Sequence, residues 1–311
     1  MNSLIPACYF STRKILIDDD KALSSSILLK LRQENIQAFT SPKEALHYLT
    51  DEYQLCFNEE NMFSKERFPE DYESNTIHLR NIHLDSLKTV LLDDKYQQDI
   101  SVLIVDYHMP EMNGLELLET IEQPDLKRVL ITSETDYKIA VDAFNQGLIH
   151  AYIRKDEPDF TEKLLAIIKK LEWDYFLTKT TTIVEAVNQE SNYLSSNEVF
   201  SIFSQLIKKH EIISFCLLDK SGTFLMLDKN KNKKYFIMKT QDQLNEMANL
   251  AKEENASEEI ISALQQGKVI PFFGENKEFW HIPTSDWETY FQQTNTMNNE
   301  KNKVWVFCQE K

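Results

Sequence analysis

The sequence predicts an α/β fold, a doubly wound five-stranded parallel sheet, followed by a helical connector and a smaller α+β domain. Three observations carry this. Short apolar runs alternate with segments of helical period five times in the first half of the chain. One of them, Ser101–Val105, is a continuous apolar run, as a strand covered on both faces requires. Beyond residue 198 strand-like runs follow one another and helices come after them, the order of an α+β fold.

The elements follow in order. Lys14–Ile17 is a strand that runs into Asp18-Asp19-Asp20, and Leu23, Ile27, Leu28 and Leu31 then recur at helical spacing. Gln37–Phe39 is a second strand. Ser41-Pro42-Lys43-Glu44 reads as an N-cap followed by proline at the first helical position, opening a helix through Leu49. Ser101–Val105 precedes a helix at Gly114–Ile121. Arg128–Ile131 precedes a helix at Tyr137–Gln146, which Gly147 terminates. Ala151–Ile153 is the last strand, and Phe160, Leu164, Ile167, Ile168, Leu171 and Tyr175 form an apolar stripe on a long helix that offers a dimer contact. The expected boundaries are 1–172 for the first domain, 173–197 for the connector and 198–311 for the second domain.

Residues 51–100 interrupt the pattern. They hold 12 Asp/Glu against 5 Lys/Arg, and only Leu84, Leu87 and Leu91, with Ile77 further back, keep a helical period, so the stretch reads as an acidic surface insertion. Over all 311 residues, 34 Lys+Arg stand against 50 Asp+Glu, a net charge of −16 that opposes nucleic acid and anionic lipid unless a local patch reverses the sign. No apolar run approaches the ~18 residues of a membrane span, and no secretory signal is seen, which places the chain in the cytoplasm with its 4 cysteines reduced. Neither the cysteines nor the 7 histidines show a zinc or redox spacing.

The chemistry concentrates at strand ends. Asp18 and Asp19 close the first strand, Asp106 the third, Thr132 the fourth, and Lys155 follows the fifth. Ligands of an open parallel sheet bind beyond the carboxyl ends of its strands, so these groups converge on one pocket. Clustered carboxylates cannot all stay ionised without a cation, and Mg²⁺ is the hard ion that takes oxygen ligands. Beside it an Asp can attack a phosphoryl group and form an acyl phosphate, a Lys can hold phosphate oxygens, and a Thr hydroxyl can donate to them.

Ile15-Leu16-Ile17-Asp18-Asp19-Asp20, the stretch Asp106-Tyr107-His108-Met109-Pro110-Glu111-Met112-Asn113-Gly114, Leu130-Ile131-Thr132-Ser133 and Tyr152-Ile153-Arg154-Lys155 together resemble the receiver domain of two-component response regulators, the CheY-like, flavodoxin-like fold. The resemblance covers about residues 13–172 less the insertion. It implies Asp106 as phosphoacceptor, Asp19 holding Mg²⁺ directly, Asp18 through water, and the backbone carbonyl of His108 as a further ligand. It implies Thr132 and Lys155 at the phosphoryl group and Tyr152 as the aromatic switch. It implies a histidine kinase or phosphotransfer protein as partner, dimerisation on phosphorylation, and no enzymatic activity beyond the domain's own phosphorylation and dephosphorylation. Two features depart from the family: the 87-residue interval from Asp19 to Asp106, about twice the usual one, and Asp156 after Lys155, where the family usually has proline.

The second half resembles loosely an α+β output domain found behind some proteobacterial receivers, including quorum-sensing regulators of the Legionella type. Arg154 is the last arginine, and Ser191–Lys311 hold 14 Lys against 16 Asp/Glu, which disfavours DNA binding. Helices at 241–254 and 257–266 have helix-turn-helix spacing, but Ser257-Glu258-Glu259 at the second one's start would repel phosphates. Lys229, Lys231, Lys233, Lys234 and Lys239 beside Tyr235 and Phe236 are a candidate patch for single-stranded nucleic acid or an anion. A protein-interaction hub or phosphate sink is the other reading. The aromatic stretch from Pro271 to Trp287 reads as core.

Overall fold

The computed structural model describes residues 4–57, 84–133, 136–274, 282–296 and 303–309. It divides into two compact units, Tyr9–Ile183 on the one hand and Met1–Cys8 with Val184–Lys311 on the other. The short strand β1 (Cys8–Tyr9) marks the passage from one unit to the other. The first eight residues, expected in the first domain, thus count with the second unit.

In the Tyr9–Ile183 unit the strands are β2 (Arg13–Ile17), β3 (Ile36–Phe39), β4 (Ile100–Asp106), β5 (Lys127–Thr132) and β6 (Ala151–Arg154). They form one parallel sheet in the order β3-β2-β4-β5-β6. All seven residues of β4 are buried, as a central strand sandwiched between helix layers demands. Side-chain alternation divides the core in two. Ile15, Ile17, Leu103, Val105 and Leu130 pack with Ala45, Leu117, Leu118, Ala140 and Ala143, which belong to the helices α2 (Pro42–His47), α4 (Gly114–Thr120) and α5 (Tyr137–Asn145). Leu16, Val102, Ile104, Val129 and Ile131 pack with Ile27, Leu31, Leu164, Ile168 and Leu171, from α1 (Lys21–Lys30) with its C-cap and from α6 (Phe160–Lys179).

The helix starts follow local chemistry. Asp20, not Asp18 or Asp19, caps α1, its carboxylate accepting from the Ala22 and Leu23 amides. Ser41 caps α2 with Pro42 at the first position. Beyond His47 the chain widens into a π-helical turn, Tyr48–Glu52, where a regular helix through Leu49 was expected. Asn113 and Glu116 form a reciprocal capping box on α4. Leu87 and Leu91 lie buried on α3 (Asp85–Leu92), whereas Ile77 and residues 58–75 of the insertion lie outside the described residues.

The α6 stripe requires a correction. Leu164, Ile168 and Leu171 are buried in the core of their own unit, while Phe160 and Ile167 of the stripe pack half-buried against it. The sequence shows the stripe but not what covers it. Near its carboxyl end α6 carries a buried carboxylate: Glu172 accepts from the Thr12 amide at 3.0 Å, the Thr12 hydroxyl at 2.6 Å and the Tyr9 hydroxyl at 2.8 Å. Lys14 Nζ stands 2.6 Å from the same group, with both side chains almost fully buried. The helix breaks at Thr180 and resumes as α7 (Thr181–Ser191).

The other unit holds a six-stranded sheet in the order β1-β7-β8-β9-β13-β12. Its further strands are β7 (Ile212–Leu217), β8 (Thr223–Asp228), β9 (Lys233–Thr240), β12 (Asn295–Thr296) and β13 (Lys303–Gln309). β7, β8 and β9 run as an antiparallel meander and β13 returns antiparallel to β9. The first residues join this sheet through Leu217 N to Ala7 O, 2.7 Å, and Ile5 N to Leu194 O, 2.9 Å. Phe203 of α8 (Asn197–Lys209) packs edge-on against Phe215, Phe224 and Phe236. The helices α9 (Gln241–Glu253) and α10 (Glu258–Gln265) pack on each other through Ala248, Ala251, Ile260 and Leu264, with Trp287 buried among them. Val269–Pro271 is a strand, β10, paired with β11 (Phe291–Gln293) in a small sheet of its own. Residues 279–281 of the aromatic stretch lie outside the described residues.

Candidate functional site

Sheet register aligns the strand ends that matter. Ile17 pairs with Val105, Asp106 with Ile131 and Thr132 with Arg154, so Asp18, Asp106, Thr132 and Lys155 emerge at one edge. The structure gathers three carboxylates there: one oxygen each from Asp18, Asp19 and Asp106 lies within 4.8 Å of the others. Asp18 and Asp106 are buried and Asp19 is exposed. Lys155 reaches them from its loop, Nζ lying 2.8 Å from Asp106 Oδ2 and 3.2 Å from Asp18 Oδ2. Asp156, in the proline position, instead takes the Arg154 guanidinium on both oxygens, at 3.0 and 2.5 Å, and the peptide before it is trans.

The electrostatics are those of a cation site. Burial first, and neighbouring carboxylates second, hold the Asp106 carboxyl above its ordinary range despite Lys155. Burial also raises Asp18, against the Asp20 amide and Lys155. Burial pulls Lys155 down, but its hydrogen bond to Asp106 and the charges of Asp106 and Asp18 outweigh it, so the ammonium is held above its usual value. Asp18 Oδ2 is buried, with the Lys155 ammonium at 3.2 Å as its neighbour. Two buried carboxylates and a third beside them offer the oxygen donors that a hard divalent cation takes.

A consequence follows for metal-free stability. A carboxyl raised in the folded state binds its proton more tightly there than in the unfolded chain, so stability falls as pH rises from about 4 through the raised value. Asp106→Asn removes this penalty. In chelator at neutral pH it is expected to stabilise the protein, a gain that shrinks as pH falls toward about 4. Urea unfolding at several pH values checks this; an Asn variant less stable than the parent at pH 7 contradicts it.

The remaining predicted residues fall as follows. Thr132 is buried, and its hydroxyl donates to the Ser133 carbonyl at 3.2 Å. Tyr152, half-buried on β6, meets Phe144 edge to face at 6.2 Å. His108 lies in the loop after β4, its exposed imidazole 2.7 Å from Asp136 Oδ2, a contact the sequence does not signal. Gly114, the last residue of the Asp106–Gly114 stretch, has no room for a side chain: a Cβ on it would stand 2.2 Å from the Asp106 carbonyl oxygen. Of the five lysines of the candidate patch, three stand beside acidic side chains. Lys229 pairs with Glu211 at 2.6 Å and Lys234 lies 3.7 Å from Asp228. Lys239 sits beside Asp219 and Ser221, away from the hairpin tip at Lys231.

Comparison with known proteins agrees with this geometry. Residues 84–169 match the family model of the response regulator receiver domain. The match begins inside the insertion, at residue 84, so Asp18 and Asp19 lie before it and join the site through the fold. The DNA-binding transcriptional regulator NtrC of Proteus hauseri is 30% identical over 129 residues, 39% of this chain and 26% of NtrC. A chemotaxis protein CheY homolog of Campylobacter jejuni is 29% identical over 72 residues, 22% of this chain and 55% of the homolog. The chain therefore spans about a quarter and about half, respectively, of these curated relatives. The structure of the Legionella pneumophila response regulator LqsR is similar over the whole chain, with a TM-score of 0.78 and 27% identity, covering 100% of this chain and 90% of LqsR. With the parallel five-stranded sheet and the acidic strand ends in place, the chain carries a response regulator receiver domain of two-component signalling, followed by an additional C-terminal region.

Proposed function

We propose that Asp106 is the phosphoacceptor of a phosphorelay. The supporting observation is the meeting of Asp18, Asp19, Asp106 and the Lys155 ammonium at one sheet edge. Asp18, Asp19, Asp106 and the His108 backbone carbonyl would hold Mg²⁺, which when bound supplies positive charge toward the oxygens of a transferring phosphoryl group. An Asp106 carboxylate oxygen attacks phosphorus, the bond to the donor's imidazole or carboxylate breaks, and the donor leaves with that electron pair. Lys155, now bound to Asp106, turns its charge to the new phosphoryl oxygens, and the Thr132 hydroxyl donates to them. Leaving the Ser133 carbonyl, Thr132 makes room in which Tyr152 shifts, remodelling the α5–β6 face.

A histidine kinase or phosphotransfer protein donates the phosphoryl group, in the cytoplasm, and the altered face changes dimerisation or the state of the C-terminal region to regulate signalling or gene expression, with quorum sensing the process suggested by the Legionella resemblance. Among the described residues no helix is long and apolar enough to cross a membrane. For the C-terminal region, binding of protein is favoured over nucleic acid, because Lys229 and Lys234 lie against acidic side chains. Acetyl phosphate with Mg²⁺ is expected to add one phosphoryl mass to the full chain and none to Asp106→Asn. Equal labelling of that variant removes Asp106 from the role.

A further inference from the structure

His108 stands two residues past Asp106, yet its side chain turns to another loop. Nε2 lies 2.7 Å from Asp136 Oδ2, and the same oxygen accepts from Ser133 Oγ. The Ser133 carbonyl in turn accepts the Thr132 hydroxyl at 3.2 Å and the Asp136 amide at 3.3 Å. An unbroken set of contacts thus runs from the loop that carries Asp106 to the hydroxyl proposed to meet the phosphoryl group. Asp136 precedes α5, where a carboxylate ordinarily caps the helix, but its side chain makes no capping hydrogen bond. This buried carboxylate is committed to His108 and Ser133 instead.

We infer that His108 and Asp136 form a latch that holds Ser133, and Thr132 with it, in the unphosphorylated arrangement. A buried carboxylate binding donors from two loops favours the state in which both are in place. Moving Thr132 toward a phosphoryl group pulls on Ser133 and so on Asp136. The latch therefore opposes activation, and phosphorylation must open it. His108 and Asp136 are positioning residues that act through Ser133 and Thr132. The consequence for activation rests on the phosphoacceptor reading above; the tether itself does not.

The experiment uses the full chain. Without any phosphoryl donor, hydrogen exchange is followed at the Asp136 and Lys155 amides, which donate to Ser133 O and Thr132 O. His108→Ala and Asp136→Ala are each expected to speed exchange there about three- to tenfold, the range set by one hydrogen bond to a charged group. With acetyl phosphate and Mg²⁺ the initial labelling rate is expected to rise by a similar factor. The double variant is expected to match Asp136→Ala alone, since His108 acts only through that carboxylate. His108→Gln, which keeps a donor at similar reach, is expected to restore both readouts. Unchanged exchange, or single effects that multiply in the double variant, overturns the latch. Faster exchange in variants of a protein that takes no phosphoryl mass leaves the tether standing and sinks the phosphoacceptor reading.

Discussion

Replacing Glu172 by alanine is expected to cost the receiver about 3–5 kcal/mol of stability, the scale for removing one member of a buried ion pair. The carboxylate is almost fully buried, accepts three hydrogen bonds, from Tyr9 and twice from Thr12, and pairs with the Lys14 ammonium. Its removal leaves the Lys14 ammonium in the interior, where Glu34 at 3.5 Å is the other carboxylate in reach. Against a total stability of roughly 5–15 kcal/mol, such a loss leaves a marginal fold. Replacing both Lys14 and Glu172 by methionine is expected to recover most of it, because the cost lies in the unpaired charge more than in the lost attraction. Urea unfolding decides: a single alanine variant within about 0.5 kcal/mol of the parent, the range of ordinary surface changes, refutes the buried-pair account.

The second large effect is expected at Gly114. This residue opens α4, and its need for glycine is one of space. A Cβ would stand 2.2 Å from the Asp106 carbonyl oxygen, 3.0 Å from the carbonyl carbon and 3.1 Å from Val105 Cγ1. Two of these three neighbours are backbone of the central strand, which has no rotamer to change. Gly114→Ala must displace α4 or the end of β4, costing about 1–3 kcal/mol as overpacking does. The displaced atoms carry the candidate phosphoacceptor, and a misplacement near 1 Å can cost roughly 10²-fold in rate. The labelling rate with acetyl phosphate is therefore expected to fall far more than stability. Labelling at the parental rate would mean that β4 yields without moving the Asp106 carboxylate.

Much of the receiver was legible because its signals are local. Val102–Val105 and Ile15–Ile17 are apolar enough to name their strands, Ser41-Pro42 and Asn113 announce helix starts, and the strand-end rule assembles Asp18, Asp106, Thr132 and Lys155 from four separate segments. What stayed hidden depends on partners distant in sequence. Lys14 inside an apolar run and Glu172 inside an apolar stripe are each out of pattern; together they are the clue to a buried pair, but only the fold brings them to 2.6 Å. The Phe160–Tyr175 stripe shows a helix face without showing what lies against it. His108 and Asp136 give no periodic or spacing signal at all. In the second unit, β7, β8 and β9 followed from apolar runs and the Asp219–Gly222 turn, whereas the placement of residues 4–8 had no local cue.

That placement bears on how the polypeptide matures. Ala7 finds its partner only when Leu217 has been made. A nascent molecule therefore completes the whole receiver while its opening segment waits unpaired, and the six-stranded sheet cannot close before translation has passed far beyond it. Contacts of such long sequence separation form slowly. Biosynthesis is thus expected to complete the receiver first, with the six-stranded sheet closing late.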